Sequence, residues 1–334
     1  MIEIKDCLPH LLYQFKSEQE IFDSIIEISK KFTTERENIS DYLHDDRLVS
    51  AYTLYFLLTN IPKFRGILNW LPNDFVEQLK GATFIDVGAG PGTFSIAFRE
   101  WTSQSGEVYQ IETSKKMKEQ ARLLWDGLYQ SNELIQELPK NGGGPRVMFF
   151  GHSANEMGPQ TALDYIKRVN PDHIIFLEPG TKSFFKEMLE IRKVLLKENW
   201  NQVYPCSTHE SCPMENTDNW CHQYLHHVHT PEIERVSQKV GINRRYMAMT
   251  LQVFSKNISY KTNSAKIIRV MPETKFSFEW EICDQNQLYD VQVMKRGMNK
   301  SDMKNISNFC AGDLITYEVD KDLGPNKKRI KLIL

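Results

Sequence analysis

The chain has no long apolar run. None of its 334 residues fall in a stretch approaching the roughly 20 that a helix needs to cross a bilayer, so no membrane span is expected. It also lacks a surplus of charge. With 41 Lys and Arg against 43 Asp and Glu, the net charge of −2 excludes a bulk polycation, and any nucleic-acid contact must come from a local basic patch. There is no internal repeat and no low-complexity tract, which argues against a solenoid or a disordered chain. The start, Met1-Ile-Glu-Ile-Lys-Asp-Cys7, shows neither a secretory signal nor an Arg-rich, acid-poor presequence. The expected location is therefore cytoplasmic, or the mitochondrial matrix in a eukaryote. Cysteine is sparse and uneven, with only Cys7 preceding Cys206. In a large non-secreted protein that distribution favours a metal site in a reducing compartment over disulfides.

What is present reads as three regions. Residues 1–80 are helical: Ser17 with Glu20 forms a capping-box pattern, and Ile21, Ile25, Ile28 and Phe32 follow at helical spacing. A second helix is expected over Arg47–Leu58, with Pro62 breaking the chain before Phe64–Trp70. Over residues 81–262 strands and helices alternate. Strands are expected at Thr83–Val87, Val108–Glu112, Arg146–Phe150 and His173–Glu178, helices at Ser114–Tyr129 and Lys182–Leu196, and a loop at Asn141-Gly-Gly-Gly-Pro145. This alternation implies an α/β fold with a parallel sheet. Gln202–Tyr204 and Met247–Phe254 form a late strand pair around a cysteine-rich insertion, residues 205–230. From 263 to 334 five strand-like runs follow without long helices, which predicts a small β domain.

The segment Phe84-Ile-Asp86-Val-Gly88-Ala-Gly90-Pro-Gly92 joins a strand to a helix, where glycine permits a sharp turn and close approach to a ligand. Glu112 ends the next strand, 20 residues after Gly92, where a carboxylate can accept hydrogen bonds from ribose hydroxyls. The form Asp-x-Gly-x-Gly-x-Gly resembles motif I of class I S-adenosylmethionine-dependent methyltransferases. That resemblance implies an S-adenosylmethionine site in which Asp86 helps place the polar end, Gly88, Gly90 and Gly92 form the cradle, and Glu112 holds the ribose.

Cys206, Cys212 and Cys221 are separated by five and eight residues, which is not the Cys-x-x-Cys knuckle of zinc ribbons. Three thiols kept so close in a reducing compartment point to a metal, with His209, His222, Cys283 or Cys310 as fourth ligand. Four thiolates suit an iron–sulfur cluster, and three with a histidine suit zinc. Pro205-Cys206 also matches the Pro-Cys nucleophile of RNA cytosine methyltransferases. That role needs a cysteine just beyond the fourth or fifth strand, and strand counting puts Cys206 after the sixth. His226, His227 and His229 read as solvated polar residues.

Four segments together resemble the methyltransferase-like family of the small ribosomal subunit, found in bacteria and mitochondria. They are Ala51-Tyr52 through Asn60-Ile-Pro62-Lys63, Asp86 to Thr93, Ile175-Phe-Leu-Glu178-Pro-Gly-Thr181 with Arg192, and Tyr204-Pro-Cys206 through Cys212-Pro213 to Trp220-Cys221-His222. The third corresponds to the family's fifth strand. The resemblance implies a class I methyltransferase sheet with a helical N-terminal region, a metal-bearing insertion and a C-terminal β domain. It further implies a 4Fe–4S cluster on Cys206, Cys212, Cys221 and Cys283, with zinc as the alternative. The implied partner is the small ribosomal subunit and its rRNA, met by a monomer either as an rRNA methyltransferase or as an assembly factor without turnover. Gly151-His-Ser-Ala-Asn155-Glu156-Met157, counted as following the fourth strand, is neither the Asn-Pro-Pro-aromatic element nor a Pro-Cys nucleophile, so no catalytic residue is assigned.

Overall fold

A computed structural model describes residues 2–33, 43–104, 106–130, 144–206, 208–260 and 263–333. Asn141, Gly142 and Gly143 of the expected loop lie outside these. The chain divides into two compact units: Met1–Ser153 with Val169–Pro171 and Leu225–Met247, and Ala154–Arg168 with Asp172–Tyr224 and Ala248–Leu334.

In the first unit the helix Glu18–Thr33 buries Phe22, Ile25 and Ile28 on one face. The Glu20 N–H donates to Ser17 Oγ at 3.2 Å. Glu20's carboxylate does not close the expected box; it accepts from Tyr13 Oη at 2.6 Å and Lys16 N at 2.8 Å. The helix Asp46–Tyr52 passes through a π-helical turn, Thr53–Leu57, into the helix Leu58–Leu68. Pro62 lies inside that last helix and does not break it, contrary to expectation. An internal proline costs about 3 kcal/mol. Here the segment around it buries Leu58, Thr59, Asn60, Lys63, Phe64 and Ile67, and that packing outweighs the local preference. A further helix, Asn73–Lys80, leads into the sheet.

Strands β1 (Thr83–Val87), β2 (Val108–Ile111) and β3 (Arg146–Gly151) pair in the order β2-β1-β3, all parallel. Every residue of β1 is buried. Phe84 stacks on Phe98 of the helix Thr93–Trp101 with ring centroids 4.4 Å apart, and Phe64 and Phe149 close the same aromatic core. The β–loop–α–β path around residues 83–112 thus rests on a rigid base.

In the second unit β4 (His173–Pro179) leads through the helix Lys182–Lys197 to β5 (Asn201–Tyr204). After β6 (Gln223–His226), β7 (Tyr246–Ser255) runs antiparallel to both β4 and β5. The alternating strands β1, β2 and β3 are parallel as expected, and the late strand β7 makes the pairing mixed. Strand counting also needs correction, because no strand lies between Ile111 and Arg146 among the described residues. Gly151–Met157 follows the third strand, Glu178–Thr181 ends the fourth, and Cys206 follows the fifth rather than the sixth.

The C-terminal strands are β8 (Ala265–Val270), β9 (Ser277–Asp284), β10 (Gln287–Met294), β11 (Leu314–Ile315), β12 (Tyr317–Gly324) and β13 (Lys327–Leu332). Their order is β11-β8-β9-β10-β13-β12, with β10 and β13 parallel. Only Thr316 separates the two outermost strands, so the sheet closes on itself as a barrel. Phe278, Trp280, Ile282, Val291, Val293 and Ile330 fill it. A helix that the sequence reading missed, Lys300–Ser307, sits between β10 and β11, and Asn299 Oδ1 caps it by accepting from Asp302 N at 2.8 Å. Its weak apolar pattern, with Ile306 alone buried, explains the omission.

Gly312 (φ +103°) presses the barrel against the cysteine-rich segment: a Cβ there would stand 2.5 Å from Gln223 Cα. Gly312→Ala should cost about 3 kcal/mol or more through backbone strain and this clash. Urea denaturation measures it, and an unchanged midpoint would show that the approach is loose.

Candidate functional site

Two sites emerge. The first is the loop after β1, in the first unit. Gly88, Gly90 and Gly92 all have positive φ (68°, 55° and 92°), the left-handed region where other residues are strained. A Cβ at Gly92 would meet Gln110 Nε2 at 2.7 Å, whereas at Gly90 nothing lies within 4 Å. A Cβ at Gly92 would need the Gln110 carboxamide to shift, and Gly90 faces an open cradle. Both polar atoms of the Gln110 carboxamide are buried without a hydrogen-bond partner among the described residues.

Glu112 stands at the mouth of this cradle. Its Oε2 accepts from Gly90 N at 2.8 Å, and its Oε1 accepts from Thr113 N at 2.7 Å and Ser114 N at 2.8 Å. A carboxylate offers about four lone-pair sites, so one remains for a ribose hydroxyl; accepting two would require releasing Gly90. Asp86 is fully buried and works from behind the loop. Its Oδ2 accepts from Ser95 N at 2.9 Å and Ser95 Oγ at 2.7 Å, fixing the first turn of the helix Thr93–Trp101.

Burial pushes the Asp86 carboxyl up to about 7, against the two Ser95 hydrogen bonds, which pull it down. The folded state therefore holds this proton more tightly than the unfolded chain. The resulting stabilisation is complete below an ordinary aspartate's 3.8 and is lost as pH rises through about 7. Asp86→Asn should flatten the fall in urea midpoint between these limits, and an unaltered profile would place that titration elsewhere.

The sequence reading missed His152 and underused Lys63. Lys63 Nζ lies 2.8 Å from His152 Nε2, and burial, followed by the charges of Lys63 and Arg244, holds the imidazole well below its usual range. The ring is neutral and accepts from the lysine through Nε2. Ser153 Oγ donates to Val87 O at 2.5 Å, and the His152 ring lies 6.2 Å from that of Phe94, so the pair sits beside the glycine loop. No sequence signal links residues 89 positions apart. His229, expected to be solvated, is buried with Nε2 3.0 Å from Arg244 O.

The second site lies in the second unit. Cys206, Cys212, Cys221 and Cys283 all line one cavity of about 40 Å³, several times the space one water needs, together with Arg192 and Lys266. The segment after β5 supplies three of these thiols and the end of β9 the fourth. All six cysteines of the chain are free. His222, Cys310 and His209 stand aside from the cavity. The His222 ring stacks on Trp220, the Cys310 N–H donates to Asp313 Oδ2 at 2.8 Å, and His209 Nε2 accepts from Gln202 N at 3.3 Å. Among the described residues no three His, Cys, Asp or Glu side chains already stand in metal-holding geometry.

The surroundings nevertheless suit an anion. Lys266 is buried, its Nζ has no oxygen or nitrogen partner among the described residues, and it faces the Tyr204 ring at 5.4 Å. Burial pulls its pKa down, but Cys221 and Tyr204 more than restore it. Arg192 Nη2 reaches the Thr208 and Glu210 carbonyls at 3.2 and 2.8 Å, and its charge opposes the rise that burial imposes on the Cys206 thiol. Burial, then the neighbouring Cys206, pushes Cys212 up to about 12. Cys206, Cys212 and Cys283 therefore keep their protons as free thiols. A metal group with four thiolates carries net negative charge, which the two cations would offset, so the residues fit such a group. The same burial argues against Cys206 as an exposed nucleophile.

No helix of the described residues is long and apolar enough to cross a membrane. Among solved structures, magnesium protoporphyrin IX methyltransferase from Synechocystis PCC 6803 is similar over 70% of this chain and 97% of that one, at 16% identity and TM-score 0.39. TrmK of M. capricolum is similar over 57% and 71%, at 11% identity and TM-score 0.34. An S-adenosylmethionine-dependent methyltransferase of Aquifex aeolicus is similar over 58% and 97%, at 14% identity and TM-score 0.32. Likeness this distant carries no residue role or activity across. Among curated proteins nothing matches the chain. The sequence profile of the family described as Rsm22, mitochondrial small ribosomal subunit, matches residues 47–296, well over half of the chain. With the α/β fold, the helical N-terminal region and the C-terminal β sheet all in place, the chain belongs to the Rsm22 family.

Proposed function

We propose that this protein is an S-adenosylmethionine-binding, methyltransferase-like factor of the small ribosomal subunit that acts on its rRNA, in the mitochondrial matrix. The observation that carries this reading is the Glu112 carboxylate, 2.8 Å from the Gly90 N–H at the edge of an open left-handed glycine turn. S-adenosylmethionine would supply an electrophilic methyl group. The glycine loop would admit the cofactor's polar portion, Glu112 would accept a ribose hydroxyl, and Asp86 would hold the loop's geometry from behind.

Cys206, Cys212, Cys221 and Cys283 would hold a 4Fe–4S cluster as a structural tie between the segment after β5 and the barrel. The four-sulfur lining of the cavity and its two cations support this reading, with zinc as the alternative. Metal quantitation on anaerobically purified protein separates the two: near-equal iron and sulfide favour the cluster, and one zinc favours the alternative.

A binding factor without turnover is the second reading, since no catalytic residue is assigned. The carboxylate of Glu178-Pro-Gly-Thr181 serves a structural contact. Glu178 is fully buried and accepts from Ala154 N at 2.8 Å and Asn155 N at 3.4 Å, capping the helix Ala154–Met157. Transfer of labelled methyl to undermethylated small subunits decides between the two. Transfer lost with Gly90→Arg supports the enzyme, and subunit binding without transfer supports the factor.

A further inference from the structure

Counted from β8, the C-terminal barrel has its first three strands as a meander, β8-β9-β10. The helix Lys300–Ser307 follows, then a fourth strand split into β11 and β12, then β13 as the fifth. The third and fifth strands are parallel, and the fourth pairs with both the fifth and the first. That connectivity is the five-stranded Greek-key barrel of OB-folds, which bind oligonucleotides through the face of strands two and three and the adjoining loops. Fold alone does not assign a ligand.

Here the usual face is largely closed. Ile268, Cys283 and Leu288 pack against Met214, Cys212 and Trp220 of the cysteine-rich segment. Glu281 on the same face accepts from Asn219 Nδ2 at 2.7 Å. What stays open is the loop between strands one and two, residues 271–276. Phe276 at its end is 66% exposed, the largest exposure of any large apolar side chain among the described residues.

This loop is ordered by its own hydrogen bonds. Thr274 Oγ1 accepts from Phe276 N at 3.1 Å and Ser277 N at 2.9 Å, and Thr274 N donates to Ser277 O at 2.9 Å. Lys295 donates from its backbone to Phe276 O at 2.8 Å and from Nζ to Glu273 at 2.9 Å and Thr274 O at 2.7 Å. An aromatic ring is thus held in solvent on a preorganised turn, so little ordering is left to be done on binding. Lys275 Nζ lies 5.9 Å from that ring, and Arg296, exposed, adjoins the Lys295 clamp. A stacking face beside one cation, with a second exposed cation next in sequence to the Lys295 clamp, is a recognition set for single-stranded nucleic acid.

We infer that this end of the barrel binds single-stranded RNA, with a base stacked on Phe276 and phosphates met by Lys275 and Arg296. The inference rests on the ribosomal reading proposed above. The test is fluorescence anisotropy of the full chain with a short labelled oligouridylate at several salt concentrations, with S-adenosylhomocysteine binding measured in parallel. Phe276→Ala should weaken RNA binding about tenfold, Phe276→Trp should restore it, and duplex RNA should compete poorly. Arg296→Gln should lower the slope of affinity against salt by about one phosphate contact.

Wild-type binding that Phe276→Ala leaves unchanged would overturn the inference while leaving the ribosomal role intact. Tighter binding to duplex than to single strands would also overturn it. No binding of any RNA, with no association with small subunits, would overturn both this inference and the reading beneath it.

Discussion

Gly90→Arg should lower affinity for S-adenosylmethionine or S-adenosylhomocysteine at least a hundredfold, measured by titration calorimetry. The backbone at this position has φ +55°, and the space beyond its Cα is empty within 4 Å. A Cβ there meets no protein atom, so a long side chain that projects into the cradle should act on the ligand. The backbone cost of a non-glycine residue in this region is about 1–2 kcal/mol, enough to lower the melting temperature by a few degrees without unfolding the unit. Gly90→Ala separates the two effects, because it carries the backbone cost with little occupation of the cradle. Cofactor binding unaffected by arginine would mean that the cofactor, if bound, lies elsewhere.

The second large effect is expected at Cys283. Cys283→Ser should reduce bound metal to background and lower the stability of the second unit by about 3–5 kcal/mol in a denaturant titration, as loss of a structural metal does. This thiol matters disproportionately because it alone comes from the barrel, whereas Cys206, Cys212 and Cys221 share one segment. Cys310→Ser is the control. That cysteine lies outside the cavity, and its backbone N–H and its thiol both engage Asp313, so metal content should not change. Metal retained in Cys283→Ser and lost in Cys310→Ser would reverse the ligand assignment.

The parts of this molecule that could be read from sequence are those written locally. β1 and its loop were legible because Phe84, Ile85 and Val87 stand directly before three glycines, and each glycine has a positive φ. The helix through Pro62 was not, because burial of Leu58, Phe64 and Ile67 decides it rather than propensity. The strand count was one too high from Arg146 onward, where the structure has the third strand. Four thiols could be picked out as types of residue, but only folding brings Cys283 to the cavity of the other three. Lys63 and His152 meet across 89 residues with no periodicity to announce it. Barrel closure depends on the parallel pairing of β10 with β13, a long-range contact that strand propensity cannot reveal.

The split of one strand at Thr316 has a consequence for the life of the protein in a crowded setting. An open sheet presents a row of unpaired amides and carbonyls that any other extended chain can extend. By turning one strand to serve both margins, β11 on β8 and β12 on β13, the C-terminal sheet satisfies part of those groups itself. Partly folded neighbours then meet a shorter template for strand exchange, an advantage for a protein whose proposed surroundings are rich in polypeptides still awaiting assembly.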